Sequence, residues 1–157
     1  MNQDLIRTIQ EKFPEAVTGS HAFRGDETVT IRNSALPEVA RYLRDELGFE
    51  FLTDLTAVDY PEREDRFEMV YHFYSLRTNL RLRLKAPVNG QEPVIASLTP
   101  LWACADWFER EAYDMFGIKF EGHPDLRRLL MYDTFEGHPL RKDYPLKKRQ
   151  PRIPHRE

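Results

Sequence analysis

The residues best equipped for chemistry lie between positions 106 and 144. Glu109-Arg110-Glu111, followed by Tyr113 and Asp114, is the densest group of ionisable side chains. Asp106, Arg110 and Asp114 recur every fourth residue, so on a helix they share one face and can pair along it. Two readings of this group stay open: a solvated helix face laced by ion pairs, or a charged surface on which another polypeptide docks. General acid–base catalysis would need a cleft and a displaced pKa, and spacing alone supplies neither. His123 and His138, with Asp125 and Asp133 nearby, are candidate metal ligands. Each histidine, however, sits in a Gly-His-Pro turn, 15 residues from the other and without HExxH spacing. A hydrogen-bonding or contact role in two tight turns fits that setting better than a metal site.

Other chemistries find less support. Cys104 is expected on an apolar helix stripe, where a thiol is by default a small buried hydrophobe. No Gly-x-Ser-x-Gly, GxGxxG or GxxxxGK[ST] occurs, so neither a nucleophile elbow nor a phosphate cradle is expected. A single cysteine excludes an internal disulfide framework, a self-contained iron–sulfur cluster and a Cys-rich zinc site.

These residues need a scaffold. At 157 residues the chain suits one domain, or one domain plus an arm. No apolar run approaches a membrane span, and no secretory signal is evident at the start. Leu5, Ile6, Ile9 and Phe13 predict a helix over 4–13, ended by Pro14. Residues 17–24 and 28–32 flank Gly25-Asp26 and predict a hairpin. Leu36, Val39, Ala40, Leu43 and Leu47 make a second helical stripe, with Ser34 as N-cap, Pro37 in the first turn and Gly48 as stop. Strands are expected at 49–58, at 67–74 and at 80–85, where leucines alternate with Arg81, Arg83 and Lys85. Residues 87–93 predict a loop. Thr99-Pro100 predicts the start of a third helix, whose stripe takes in Leu101, Cys104, Ala105, Phe108, Ala112, Met115 and Phe116 before Gly117. The predicted class is α+β: one compact domain of helices on a mostly antiparallel or mixed sheet, residues 1–120. An extended C-terminal arm, residues 121–157, follows.

The arm is polar, and its prolines fall at 124, 139, 145, 151 and 154. It is expected to build no core of its own. It also holds Leu129, Leu130, Met131, Tyr132, Phe135, Tyr144 and Leu146, types that a disordered linker lacks. Residues 140–157 carry a net charge of +5, which leaves −8 on the rest. An acidic body with a basic tail predicts two different surroundings. Nucleic acid is a poor fit, because no binding-fold signature appears. The prolines forbid an amphipathic membrane helix. The arm is expected to order on the surface of another protein.

Three motifs in fixed order carry a resemblance. They are Glu109-Arg110-Glu111-x-x-Asp114-Met115-Phe116-Gly117-Ile118, then Gly122-His123-Pro124-Asp125-Leu126-Arg127-Arg128-Leu129-Leu130, then Gly137-His138-Pro139-Leu140-Arg141-Lys142-Asp143-Tyr144-Pro145-Leu146. Across roughly residues 102–146 the chain resembles the C-type subunit of respiratory NADH–quinone oxidoreductase, complex I, in its free-standing form. The resemblance leaves one alternative open: the equivalent subunit of a related membrane-bound hydrogenase or of a ferredoxin- or F420-linked quinone oxidoreductase.

The resemblance implies a non-catalytic peripheral-arm subunit on the cytoplasmic side of a bacterial inner membrane, attached only through the complex. It implies no cofactor on this chain, with FMN, iron–sulfur clusters, NADH and quinone held by other subunits. The D-type subunit of complex I is the implied partner, with the B-type and I-type subunits as neighbours. The interface candidates are Glu109, Arg110, Glu111, Asp114, His123, Arg127, Arg128, Tyr132, Phe135, His138, Arg141, Lys142 and Tyr144. The four arm cations are expected to meet acceptors on a partner, and the arm's large side chains to anchor there.

Overall fold

The computed structural model describes residues 3–152, with side chains from Leu5 onward. Met1, Asn2 and residues 153–157, which include Pro154, Arg156 and Glu157 of the tail, lie outside the described residues. Helix α1 (Gln3–Lys12) turns Leu5 and Ile9 inward, and Phe13 follows it into the core. Strands β1 (Val17–Phe23) and β2 (Asp26–Ile31) form the expected hairpin. Arg24 and Gly25 both have positive φ, the twist a two-residue hairpin turn favours. A single 3-10 turn, Asn33–Ala35, then leads into α2 (Leu36–Asp45). Ser34 lies inside that turn and caps nothing, so α2 opens without a side-chain cap.

Strands β3 (Phe51–Asp59), β4 (Phe67–Ser75) and β5 (Leu80–Val88) form an antiparallel meander, and β2 joins β5 in parallel. The resulting mixed sheet has the order β1-β2-β5-β4-β3. Alternation decides its faces. Leu82, Leu84 and Ala86 on β5 are buried beside Phe67, Met69, Tyr71 and Phe73 on β4. Each large side chain so buried stabilises the fold by about 2 kcal/mol. An exposed pair such as Arg7–Glu11 adds only about 0.3 kcal/mol.

The stretch after β5 differs from expectation. A short β6 (Val94–Ala96) pairs in parallel with β7 (Lys119–Glu121), and the two bracket α3 (Ala105–Phe116). Alternation over three residues is too short to read in sequence. Helix α3 begins at Ala105, not at Thr99. The Ser97 hydroxyl takes the Thr99 N–H and the Glu109 carboxylate takes the Leu98 N–H, which fixes 97–99 as a turn. Cys104 therefore stands at the N-cap of α3 and is exposed, not on the buried stripe.

Candidate functional site

The charged helix is not a solvated face. Glu109 and Asp114 are fully buried and Arg110 nearly so, while Glu111 alone of the Glu-Arg-Glu group is exposed. The expected Asp106–Arg110–Asp114 ladder does not form, because the arm lies along α3 and takes each partner for itself. Arg110 donates from its guanidinium to the carbonyls of Arg127 and Arg128, and lies 5.1 Å from the Trp107 ring centroid. One Asp114 oxygen accepts three consecutive backbone N–H groups, from Leu129, Leu130 and Met131, at 2.7–3.1 Å. The other accepts Arg128 at 2.7 Å. Burial alone would push the Asp114 carboxyl up. The amides and the guanidinium outweigh burial and hold it below the usual carboxylate range.

The second Gly-His-Pro motif closes the C-terminus of α3. A helix leaves its last four carbonyls without helical partners. Here all four are taken. Gly117 N–H bonds Tyr113, and the other three donors come from the arm. His138 Nδ1 donates to Asp114 at 2.9 Å, Leu140 N–H donates to Met115 at 3.1 Å, and Arg141 Nε donates to Phe116. Arg141 also sets a cation at the negative end of the helix dipole. Gly117 has φ +75°, and a Cβ there would lie 2.6 Å from both His138 and Arg141. Burial lowers the His138 pKa, so the ring stays neutral with its proton on Nδ1.

The first motif grips the other end of α3. The His123 ring is fully buried, and its Nδ1 accepts Asp125 N–H at 3.0 Å. Nε2 therefore carries the proton. It faces the Asp106 carbonyl at 3.3 Å, the Asp106 carboxylate at 3.4 Å and Glu109 at 4.0 Å. Glu109 accepts Ser97 Oγ–H and Leu98 N–H, each at 2.6 Å. Burial nevertheless pushes its carboxyl up to about 7.

A third junction involves residues that the sequence alone does not single out. Asp59, buried at the end of β3, takes two bonds from Arg66 at 2.7 and 2.8 Å, and Lys142 N–H at 2.7 Å. Arg66 reaches on to Asp143 of the arm at 2.8 Å. Arg66 chiefly, through its hydrogen bonds, holds both carboxyls below their usual range. A charged residue closing an apolar strand, with the opposite charge opening the next, was the available signal.

The arm cations and anchors are placed differently from expectation. Arg128 and Arg141 meet acceptors on α3 of their own chain. Lys142 is exposed and docks by its backbone, and Arg127 pairs with Asp125 on the surface at 2.9 Å. Tyr132, Phe135 and Tyr144 pack on one another, with Phe135 at 5.5 and 6.0 Å from its two neighbours. Arg128 lies 5.8 Å from the Phe135 ring centroid, so the arm does build a small aromatic core. Along α3 and the described part of the arm, the exposed large apolar groups are Trp107 (59% exposed), Leu130 (57%), Leu140 (51%) and Leu146 (98%); Phe23, Phe51, Leu76 and Val94 are exposed elsewhere.

The two histidines hold opposite ends of α3, so they share no ligand. Among the described residues no group of three or more His, Cys, Asp or Glu is arranged to hold a metal ion. A cleft of about 510 Å³ opens on the far face of the sheet, lined by His72, Tyr74, Arg81, Arg83 and Asp54. No helix among the described residues is long and apolar enough to cross a membrane.

Fold and site together define an α+β subunit whose charged helix is overlaid by its own arm. The same fold occurs in the trypsin-resistant fragment (1-134) of Nqo5, with TM-score 0.70 and 30% identity. That match covers 79% of this chain and 98% of that one. A chain of the membrane-bound sulfane sulfur reductase, an archaeal respiratory membrane complex, shares the fold with TM-score 0.79 at 23% identity, covering 92% of this chain and 86% of that one. The chain belongs to the family described as the respiratory-chain NADH dehydrogenase 30 Kd subunit, whose model matches residues 29–150. It is 49% identical over 145 residues to the C-type subunit of NADH-quinone oxidoreductase from Citrifermentans bemidjiense, covering 92% of this chain and 90% of the relative. It is 47% identical to the corresponding subunit from Rhodobacter capsulatus, covering 91% of this chain and 72% of that relative.

Proposed function

We propose that this chain is a non-catalytic peripheral-arm subunit of a proton-translocating NADH:quinone oxidoreductase, holding the quinone-proximal subunits in register. Its relatives are named as the C-type subunit of that enzyme. In this reading electrons pass from NADH through FMN and iron–sulfur centres to quinone on other subunits. This chain supplies position, which electron transfer and coupling need at about ångström precision. The D-type subunit is the first partner, with the B-type and I-type subunits alongside, and attachment on the cytoplasmic face of the inner membrane is through the complex.

One observation carries the reading. Leu129, Leu130, Met131, His138, Leu140 and Arg141 fix the arm's path by hydrogen bonds to α3, while the Leu130, Leu140 and Leu146 side chains are exposed along it. A fixed arm with exposed leucines is a template for a second protein. Glu111, Arg127 and Lys142, exposed beside them, supply a polar rim. Truncation at Gly122 is a poor test, since it would strip α3 of its partners. Surface substitutions are cleaner. Affinity recovery of the chain from a gentle detergent extract is expected to bring the D-type, B-type and I-type subunits. Leu130→Asp with Leu140→Asp is expected to lose them while keeping the wild-type Tm. Full recovery by the double variant, or recovery of none of these partners by the wild type, rules the reading out.

A further inference from the structure

We propose that His123, Glu109 and Asp106 form a proton-binding latch that fastens the start of the arm, residues 121–131, to α3 only while Glu109 keeps its proton. The inference rests on contacts within the chain, independent of any partner. The His123 ring is the arm's first side chain wholly inside the protein, and it enters between two carboxylates one turn apart on α3. Asp106 Oδ1 is buried without a hydrogen-bond partner, 3.4 Å from His123 Nε2. Tyr71, fully buried on β4, carries a hydroxyl without a hydrogen-bond partner and interacts electrostatically with Glu109. Its titration is pushed up by burial and then by Glu109.

The groups facing Glu109 leave it little electrostatic support as an anion. Tyr71 comes from β4, His123 from the arm and Asp106 from the preceding turn of α3, while the loop after β6 supplies the Ser97 hydroxyl and the Leu98 amide. Arg110, next in sequence, is turned away to the arm carbonyls. Among the described residues no Lys or Arg lies within ion-pair distance of Glu109. His123 Nδ1 is occupied as the acceptor of Asp125 N–H, so only Nε2 faces the two carboxylates. With Glu109 protonated the fully buried carboxyl of the cluster is neutral. With Glu109 ionised that buried position holds an anion without a cation beside it, and the escape is to admit water by lifting His123 out.

Hydrogen exchange of the full chain from pH 6 to 8.5, normalised to the intrinsic rate at each pH, tests this. Opening of 121–131 is expected to rise about tenfold across that range, with a midpoint set by Glu109, while β4 and β5 stay constant. Glu109→Gln is expected to abolish the rise. Should that variant not fold, Asp106→Asn removes the like charge and is expected to move the midpoint to lower pH. Flat exchange in the wild type, a rise that persists in Glu109→Gln, or an unmoved midpoint in Asp106→Asn overturns the latch.

Discussion

Glu109 and Asp114 sit five positions apart on one helix, are equally buried, and titrate in opposite directions. The difference is the number and type of donors. Asp114 collects three amides and a guanidinium, whereas Glu109 collects one hydroxyl and one amide. Asp114→Ala would leave Arg128 and three amides facing an apolar gap, and is expected to destabilise the fold by about 3–5 kcal/mol in urea unfolding at pH 6. Glu109 predicts a pH dependence of the opposite kind. Its carboxyl titrates at about 7 in the fold against 4.5 ordinarily, so the folded chain holds the proton more tightly. Stability from this group is complete below 4.5 and falls as pH climbs through 7, by up to about 3 kcal/mol. Comparing urea unfolding at pH 5 and pH 8 checks it. Glu109→Gln is expected to lose less stability between those pH values than the wild type. The four-residue spacing of the acids was legible in sequence. Their burial was not, because periodicity reports which residues share a face and not what covers that face.

At the scale of elements, the sheet and its alternation were the easiest to read, since β4 from Phe67 and β5 from Leu82 bury every second residue to the strand end. The arm was the hardest. Its pairing is carried by backbone amides and carbonyls, which every sequence has, so its prolines and polar residues conceal how well satisfied it is. The two Gly-His-Pro turns are legible as turns, but their targets at either end of α3 depend on three-dimensional reach. Gly117 is where α3 and the arm are most tightly matched. A Cβ would enforce a left-handed backbone on alanine and displace His138 and Arg141 from the helix carbonyls. Gly117→Ala is therefore expected to cost about 2–3 kcal/mol, combining backbone strain with lost hydrogen bonds. It is also expected to raise hydrogen exchange at Leu140, whose amide bonds the same helix end. Wild-type protection at Leu140 in the variant would show that the arm docks without this fit.

Across the whole molecule, charge separates the arm's two tasks. The cations nearest α3, Arg128 and Arg141, are engaged inside the chain, while Lys147, Arg149 and Arg152 lie exposed beyond the aromatic cluster. The body carries the compensating excess of acid, so the outer tail is the one strongly basic feature that the fold leaves uncommitted among the described residues. Long-range charge acts on encounter more than on the life of a complex, and salt screens it beyond about 8 Å at physiological ionic strength. Buried apolar contacts act on dissociation. The two kinds of surface residue therefore predict different kinetics of assembly with the D-type subunit proposed as its partner. Lys147→Glu with Arg149→Glu and Arg152→Glu is expected to slow association about tenfold at low salt, with the gap closing as salt rises and dissociation barely changed. Leu130→Asp with Leu140→Asp is expected to do the reverse, quickening dissociation with little effect on association. Surface-captured chain and flowing partner, measured across a salt series, separate the two rates. If charge reversal left association and its salt dependence as in the wild type, the basic tail would play no part in steering, and the acidic body would be the surface that guides encounter.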